Sequence, residues 1–217
     1  MSTPDCTLTQ AQHAAIARIA YALESPSAIA LLCGPAGAGK TTVLDRLAAS
    51  PALAGRRCVR WTACDEAPAS AGGAAGGDAV LLLDDAHEPS GEVLVATVEA
   101  WRRQEPRGGI VLAGQGRLLT LSARDARLER TIVLRAVLGP FTLSETRAAT
   151  ASRLVRLGRE TDHAAVVRTI HEIAAGIPGR VVRLAELVQL VADAAPGGVV
   201  TPDDVEAVHR RLSLQAA

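Results

Sequence analysis

Gly34-Pro35-Ala36-Gly37-Ala38-Gly39-Lys40-Thr41-Thr42 is a complete G-x-x-x-x-G-K-[ST] pattern, and its flanks supply the context that the pattern needs. Upstream, Ala28-Ile29-Ala30-Leu31-Leu32-Cys33 is an unbroken apolar run, the texture of a strand buried on both faces of a parallel sheet. Downstream, Val43, Leu44 and Leu47 recur at helical spacing. Strand, glycine-rich turn and helix together predict a phosphate-binding loop. Glycines let successive backbone N–H groups curl around phosphate oxygens, and the helix start adds its partial positive charge. The stretch from Gly34 to Thr42 is therefore expected to line a nucleotide, with Lys40 reaching the β- and γ-phosphates and the Thr41 hydroxyl ligating Mg²⁺.

Composition singles out the same lysine. Of the 23 basic residues, Lys40 is the only Lys and the rest are Arg, while the chain holds 42 Ala and no Asn. A compositional bias of this kind turns surface cations into Arg. The surviving Lys marks a position where a compact ammonium is not exchangeable for a planar guanidinium.

A second motif lies at Asp78-Ala79-Val80-Leu81-Leu82-Leu83-Asp84-Asp85-Ala86-His87. An apolar run that ends in paired carboxylates would deliver them to the C-terminal edge of a parallel sheet, where ligands bind in open α/β folds. Asp84 reads as the carboxylate that holds Mg²⁺, directly or through water, and Asp85 as the one that polarises attacking water. Guanine readers of the N-K-x-D or T-K-x-D type are excluded, because Asn is absent and the only Lys is already used; adenine nucleotide is the remaining default.

Outward from these motifs the chain alternates strands and helices. Helical periodicity is expected from about 8 to 23, opened by a capping box at Thr7-Leu8-Thr9-Gln10, with Leu8, His13 or Ala14, Ile16 or Ala17, Ala20 and Leu23 on the apolar face. Further strands are expected at Arg57–Trp61, Ile110–Ala113 and Thr131–Leu134, with a helix from about Pro89 to Gln104 lined by Leu94, Val98 and Trp101, and one helix-like stretch containing Arg124, Arg127 and Arg130 ahead of the last strand. Residues 62–78, rich in Gly, read as a mobile loop. After Gly139-Pro140 the pattern is helical throughout, with helices near 143–157, 163–175, 179–194 and 202–212 and capping boxes at Thr142–Glu145 and Thr201–Asp204. The expected organisation is an α/β core over 1–139 and a small all-helical lid over 140–217.

Bulk properties remove other classes. Acidic and basic residues are equal at 23 each, so net charge advertises neither nucleic acid nor membrane. Aromatics amount to Tyr21, Trp61, Trp101 and Phe141, too few for a base-stacking platform. Cys6, Cys33, Cys58 and Cys64 form no C-x-x-C pair and have no His at metal-ligand spacing. Met1–Thr9 has neither a basic n-region nor an apolar h-region, and no run is long enough to span a bilayer. A reduced, cytoplasmic chain without membrane insertion is expected.

With these residues in order, the chain resembles the AAA+ ATPases, and among them the Orc1/Cdc6-like and secretion ATPase ExeA-like branch that includes transposition ATPases. The resemblance rests on the phosphate loop and on Asp84-Asp85-Ala86-His87, standing where that branch has Asp-Glu-Ala-His or Asp-Glu-Ala-Gln. It extends to Ile110-Val111-Leu112-Ala113-Gly114-Gln115, Arg130, Leu138-Gly139-Pro140-Phe141-Thr142-Leu143-Ser144-Glu145-Thr146, and Ala175-Gly176-Ile177-Pro178-Gly179-Arg180. It implies a five-stranded parallel sheet of order 5-1-4-3-2 with a helical lid, ATP and Mg²⁺ as ligands, and a homo-oligomer whose subunits share active sites. By the same resemblance Gln115 is a polar sensor of the γ-phosphate or attacking water, and Arg180, or alternatively Arg183, is a lid sensor acting in cis. Arg130, or alternatively Arg127, is the arginine finger inserted into a neighbouring subunit's site.

Two departures qualify the carry-over. Asp85 stands where most relatives have Glu, which draws the carboxylate back by about one bond and implies slow hydrolysis. The connection ahead of the acidic strand is short and Gly-rich, where relatives often carry insertions that contact partners or DNA. The expected function is ATP binding and Mg²⁺-dependent hydrolysis that couples nucleotide state to assembly or to a protein partner of unknown identity. The alternative is an ATP-controlled DNA-binding adaptor with little turnover, its phosphate contacts drawn from Arg147, Arg153, Arg156, Arg159 and Arg168. A small-molecule phosphotransferase lacks an acceptor-binding motif.

Overall fold

A computed structural model describes residues 8–63, 78–105 and 107–215. Thr7 of the expected first capping box, the glycine-rich loop over 64–77, and Cys6 and Cys64 lie outside the described residues. The chain divides into two compact units, Gln10–Leu138 and Gly139–Ala217.

The first unit is built on the strands β1 (Ile29–Cys33), β2 (Cys58–Thr62), β3 (Val80–Asp84), β4 (Gly109–Gly114) and β5 (Ile132–Val137). All neighbours are parallel, in the order β2-β3-β4-β1-β5. Counted from the other edge this is 5-1-4-3-2, the order the resemblance implied. Every residue of β1, β3 and β4 is buried, because helices cover both faces of the sheet. Alternate residues serve opposite cores. Ala30, Leu32, Val80, Leu82, Val111 and Ala113 pack with α1 (Gln10–Ala22) and α2 (Lys40–Ala48). Ile29, Leu31, Leu81, Leu83, Ile110 and Leu112 pack with α3 (Gly91–Gln104), α4 (Gly116–Arg124) and α5 (Ala126–Thr131). Two covered faces explain why these strands read as continuous apolar runs rather than alternating ones.

Three local expectations are corrected. In α1 the buried residues are Gln12, Ala15, Ile19 and Ala20, followed by Leu23, whereas His13, Ala14 and Ala17 are exposed. An alanine-rich helix offers little contrast between faces, so the large side chains Ile19 and Leu23 set its phase. Strand β5 runs on to Val137, past the expected end at Leu134. It is an edge strand with Val133, Arg135 and Val137 exposed, so Arg135 interrupts the apolar run without ending the strand. The stretch containing Arg124, Arg127 and Arg130 forms two helices, because Asp125 ends α4 and caps α5 through the N–H groups of Arg127 and Leu128.

The second unit contains α6 (Leu143–Ala151), α7 (His163–Ala174), α8 (Pro178–Ala194) and α9 (Pro202–Gln215) around a core that includes Leu154, Val166, Ile170, Val181, Leu184, Val188 and Val205. The capping box at Thr142 is complete, with both reciprocal bonds to Glu145 formed. The first helix ends at Ala151 and not near 157. Leu154 turns into the core, and the Gly158 N–H donates to the Gly198 carbonyl at 2.7 Å. A Cβ on Gly158 would stand 2.3 Å from the Gly197 carbonyl oxygen, so this close backbone approach overrides the helical periodicity. No described helix is long and apolar enough to cross a membrane.

Candidate functional site

The phosphate loop links β1 to α2 on the first unit. Its entry is held by the Gly34 N–H, which donates to the Gly114 carbonyl at the end of β4 (3.2 Å). Its exit is Gly39, the residue before α2, at φ +86°. This left-handed backbone favours Gly, and a Cβ there would also lie 2.5 Å from Nε2 of Gln12. Gly39 offers no side-chain cap and the first turn of α2 holds no acid. By contrast α3, α5, α6 and α7 are capped by the side chains of Ser90, Asp125, Thr142 and Asp162. The N–H groups at the start of α2 therefore have no side-chain cap, an arrangement compatible with an anion at the glycine-rich loop.

Lys40 is the first residue of that helix and is buried, 7% exposed. Its ammonium donates to the carbonyls of Gly34 and Pro35, both at 3.0 Å, so the side chain folds back across the loop. Burial pulls its pKa down, and the charges of Asp84, Asp85 and Cys33 oppose the shift. Burial also raises the pKa of the Cys33 thiol beneath the loop, opposed by Lys40 and Arg135.

The second half of the site is the end of β3. Asp84 is its last residue, and Asp85 turns the chain away at φ +51°. The Thr41 hydroxyl donates to Asp84 Oδ2 at 2.7 Å, and the Asp85 N–H donates to Asp84 Oδ1 at 3.0 Å. A Thr hydroxyl and a buried carboxylate are hard oxygen donors, the chemistry that suits Mg²⁺. This ion usually takes one or two carboxylates together with substrate phosphates, so the residues present fit it. Among the described residues no group of three or more His, Cys, Asp and Glu offers an all-protein metal cage.

Lys40, Thr41, Asp84 and Asp85 are thus brought together. Gln115 follows β4 directly, half-buried at the start of α4, where the adjoining Gly114 holds the loop entry. On α5, Arg127 pairs with Glu99 (3.2 Å) and Asp125 (3.6 Å). Arg130 is exposed and donates to the Ala126 carbonyl of its own helix at 3.1 Å. In the second unit Arg180 is exposed in the first turn of α8, and Arg183 is exposed three residues on. There, too, Arg153 pairs with Glu186 and Arg156 with Asp193, so carboxylates of the same unit partly neutralise two of the five arginines considered for DNA.

Two residues beside the loop and the acidic strand end were not singled out from the sequence. Gln12 is buried on α1, and its side-chain amide donates to the Ala38 carbonyl of the loop at 3.4 Å. A polar residue in the buried phase of an apolar helix is the signal that could have found it. Arg60, on β2, reaches Asp84 Oδ2 with Nη2 at 3.1 Å and Asp45 of α2 with Nη1. The register explains this: Arg60 pairs with Leu82 and Thr62 with Asp84, so Arg60 and Asp84 are diagonal neighbours on the face that α2 covers.

No family model and no curated protein matches the chain. Solved structures do. The Orc2 protein of Aeropyrum pernix in ADPNP–ADP complexes has a TM-score of 0.64 and 16% identity, over 94% of this chain and 68% of that one. The Orc1 protein of the same organism, solved in complex with DNA, has a TM-score of 0.65 and 18% identity, over 96% and 68%. RuvB of Thermotoga maritima, a Holliday junction branch migration motor, has a TM-score of 0.62 and 19% identity, over 93% and 69%. At such identities the likeness is one of fold. The chain shares the fold of these Orc1, Orc2 and RuvB proteins, with its five-stranded parallel sheet in the order β2-β3-β4-β1-β5.

Proposed function

We propose that this chain binds ATP with Mg²⁺ and hydrolyses it slowly, as a module whose nucleotide state governs assembly or the grip on a protein partner. The observation that carries the reading is the bond from Thr41 to Asp84, which joins the phosphate loop to the acidic strand end beside the chain's only lysine. The fold shared with ADPNP- and ADP-bound Orc2 supports it. In this reading Gly34, Pro35, Ala36, Gly37, Ala38, Gly39 and Thr42 wrap the phosphates through their backbone. Lys40 leaves the loop carbonyls for the β- and γ-phosphates, where its charge is no longer a burden of burial. Thr41 and Asp84 hold Mg²⁺, which when bound neutralises charge on the β- and γ-phosphate oxygens.

Hydrolysis forms a bond between water oxygen and the γ-phosphorus and breaks the bond to the leaving ADP oxygen. Asp85 accepts the proton of the attacking water, and Gln115 orients that water or the γ-phosphate. Asp reaches less far than Glu, and for this reason turnover is slow. Arg130 serves as the finger in a neighbouring copy's site; it is exposed, whereas Arg127 is engaged by two carboxylates. Arg180 or Arg183 contacts the γ-phosphate from the lid.

The test is a titration of a fluorescent ATP analogue with Mg²⁺ present, alongside phosphate release. Lys40→Ala should weaken binding by about 100-fold, since it removes a charge-assisted contact to two phosphates. Equal affinity and equal phosphate release in that variant would end the nucleotide reading.

A further inference from the structure

Asp84 is crowded for a carboxylate expected to hold a cation. Its side chain is only 7% exposed, and both its oxygens are already engaged. Oδ1 accepts from the Asp85 N–H, while Oδ2 accepts from the Thr41 hydroxyl and from Arg60. The first two donors are neutral and belong to elements that flank the site. Arg60 is different: it brings a full positive charge to the oxygen that a divalent ion would need, and it comes from edge strand β2. The guanidinium is also shared. Its other terminal nitrogen is paired with Asp45, which lies on α2 and is more than half exposed. Arg60 therefore has a second anchor that stays in place when Asp84 is taken away from it.

We infer that Arg60 is a competitor of the divalent cation for Asp84. It neutralises the buried carboxylate in the nucleotide-free protein and retires onto Asp45 when the ion arrives. The inference rests on the nucleotide reading and adds a control to the same site. Two cations cannot share one carboxylate oxygen without repulsion, and a partly buried pair is screened little by salt. Arg60 thereby raises the Mg²⁺ concentration that the site requires. The ATP-bound, ion-loaded state also differs from the empty one in where Arg60 is tied.

The experiment is a Mg²⁺ titration of the full chain at a fixed concentration of a fluorescent ATP analogue, with binding in EDTA as the reference. Arg60→Gln should lower the half-saturating Mg²⁺ concentration by about three- to tenfold, the scale expected for one partly exposed charge beside a dication. Arg60→Lys, which keeps the charge, should stay near wild type. Asp45→Asn should move the midpoint the other way, because Arg60 then has Asp84 alone; this variant serves as well should Arg60→Gln fail to fold. An unchanged or higher Mg²⁺ requirement in Arg60→Gln, or an unchanged one in Asp45→Asn, would overturn the inference. Loss of analogue binding by the wild type at every Mg²⁺ concentration would instead remove the nucleotide reading beneath it.

Discussion

Asp85 concentrates two demands that pull in opposite directions. It is the carboxylate proposed to take the proton of attacking water, and among the described residues it is one of three non-glycine positions with positive φ, at +51°. Left-handed backbone costs free energy for a residue with a Cβ, although Asp tolerates it better than most. The strain persists because the neighbouring turn is pinned: Ala86 N–H donates to the Ala113 carbonyl, and Arg117 donates to the carbonyls of His87 and Glu88. Replacing Asp85 by Gly should therefore stabilise the nucleotide-free protein by about 0.5–1 kcal/mol in urea unfolding. The same variant should lose at least about 100-fold in phosphate release, the usual worth of a positioned base. A variant that unfolds more easily than wild type would show that the side chain, not the backbone, holds this turn.

At the scale of elements, the helix starts divide by their caps. Those of α3, α5, α6 and α7 are closed by a side chain, whereas those of α2, α4 and α8 are not, and of these the start of α2, behind the glycine-rich loop, is the one proposed to meet a ligand. The capping box of α6 has both reciprocal bonds within a single turn: Thr142 N–H to Glu145 at 2.8 Å and Glu145 N–H to Thr142 Oγ1 at 3.2 Å. Thr142→Ala should cost about 1 kcal/mol of stability and increase hydrogen exchange across 143–151, while leaving nucleotide affinity at the α2 loop unchanged. No change in exchange would mean that packing of Thr146 and Thr150, both buried, holds α6 without its cap.

At the scale of the whole molecule, the proposed active site is incomplete in one copy if Arg130 acts on a neighbour. Its side chain is exposed and tied only loosely, to a carbonyl of its own short helix. ATP turnover per subunit should therefore climb with protein concentration in the wild type and fall by about 10³-fold in Arg130→Ala, a usual range for an arginine finger. Mixing Arg130→Ala with Asp85→Asn should restore part of the activity, because a mixed interface joins an intact finger to an intact carboxylate. Turnover independent of concentration, with no recovery on mixing, would place the finger in cis or deny it altogether.

Where the fold depends on contiguous residues, the sequence was legible: the glycine-rich loop between strand and helix, the acidic strand end and the strand count followed from short motifs and apolar runs, while the sheet order came from the family resemblance. A buried parallel strand or a glycine-rich loop has to be written locally, since backbone geometry and two-sided burial constrain each residue in turn. The phase of α1, the early end of α6 and the extension of β5 were decided by packing between distant segments. They depend on the bulk of Ile19 and Leu23, the approach of Gly158 to Gly197, and the open face of an edge strand. Arg60 and Gln12 belong to the same class. Each is an unremarked polar residue in its own segment and becomes part of the site only because strand pairing sets Arg60 diagonal to Asp84 and helix packing lays Gln12 against the loop. Tertiary structure alone could decide these, because a contact between residues far apart in the chain is a property of the register and not of either segment.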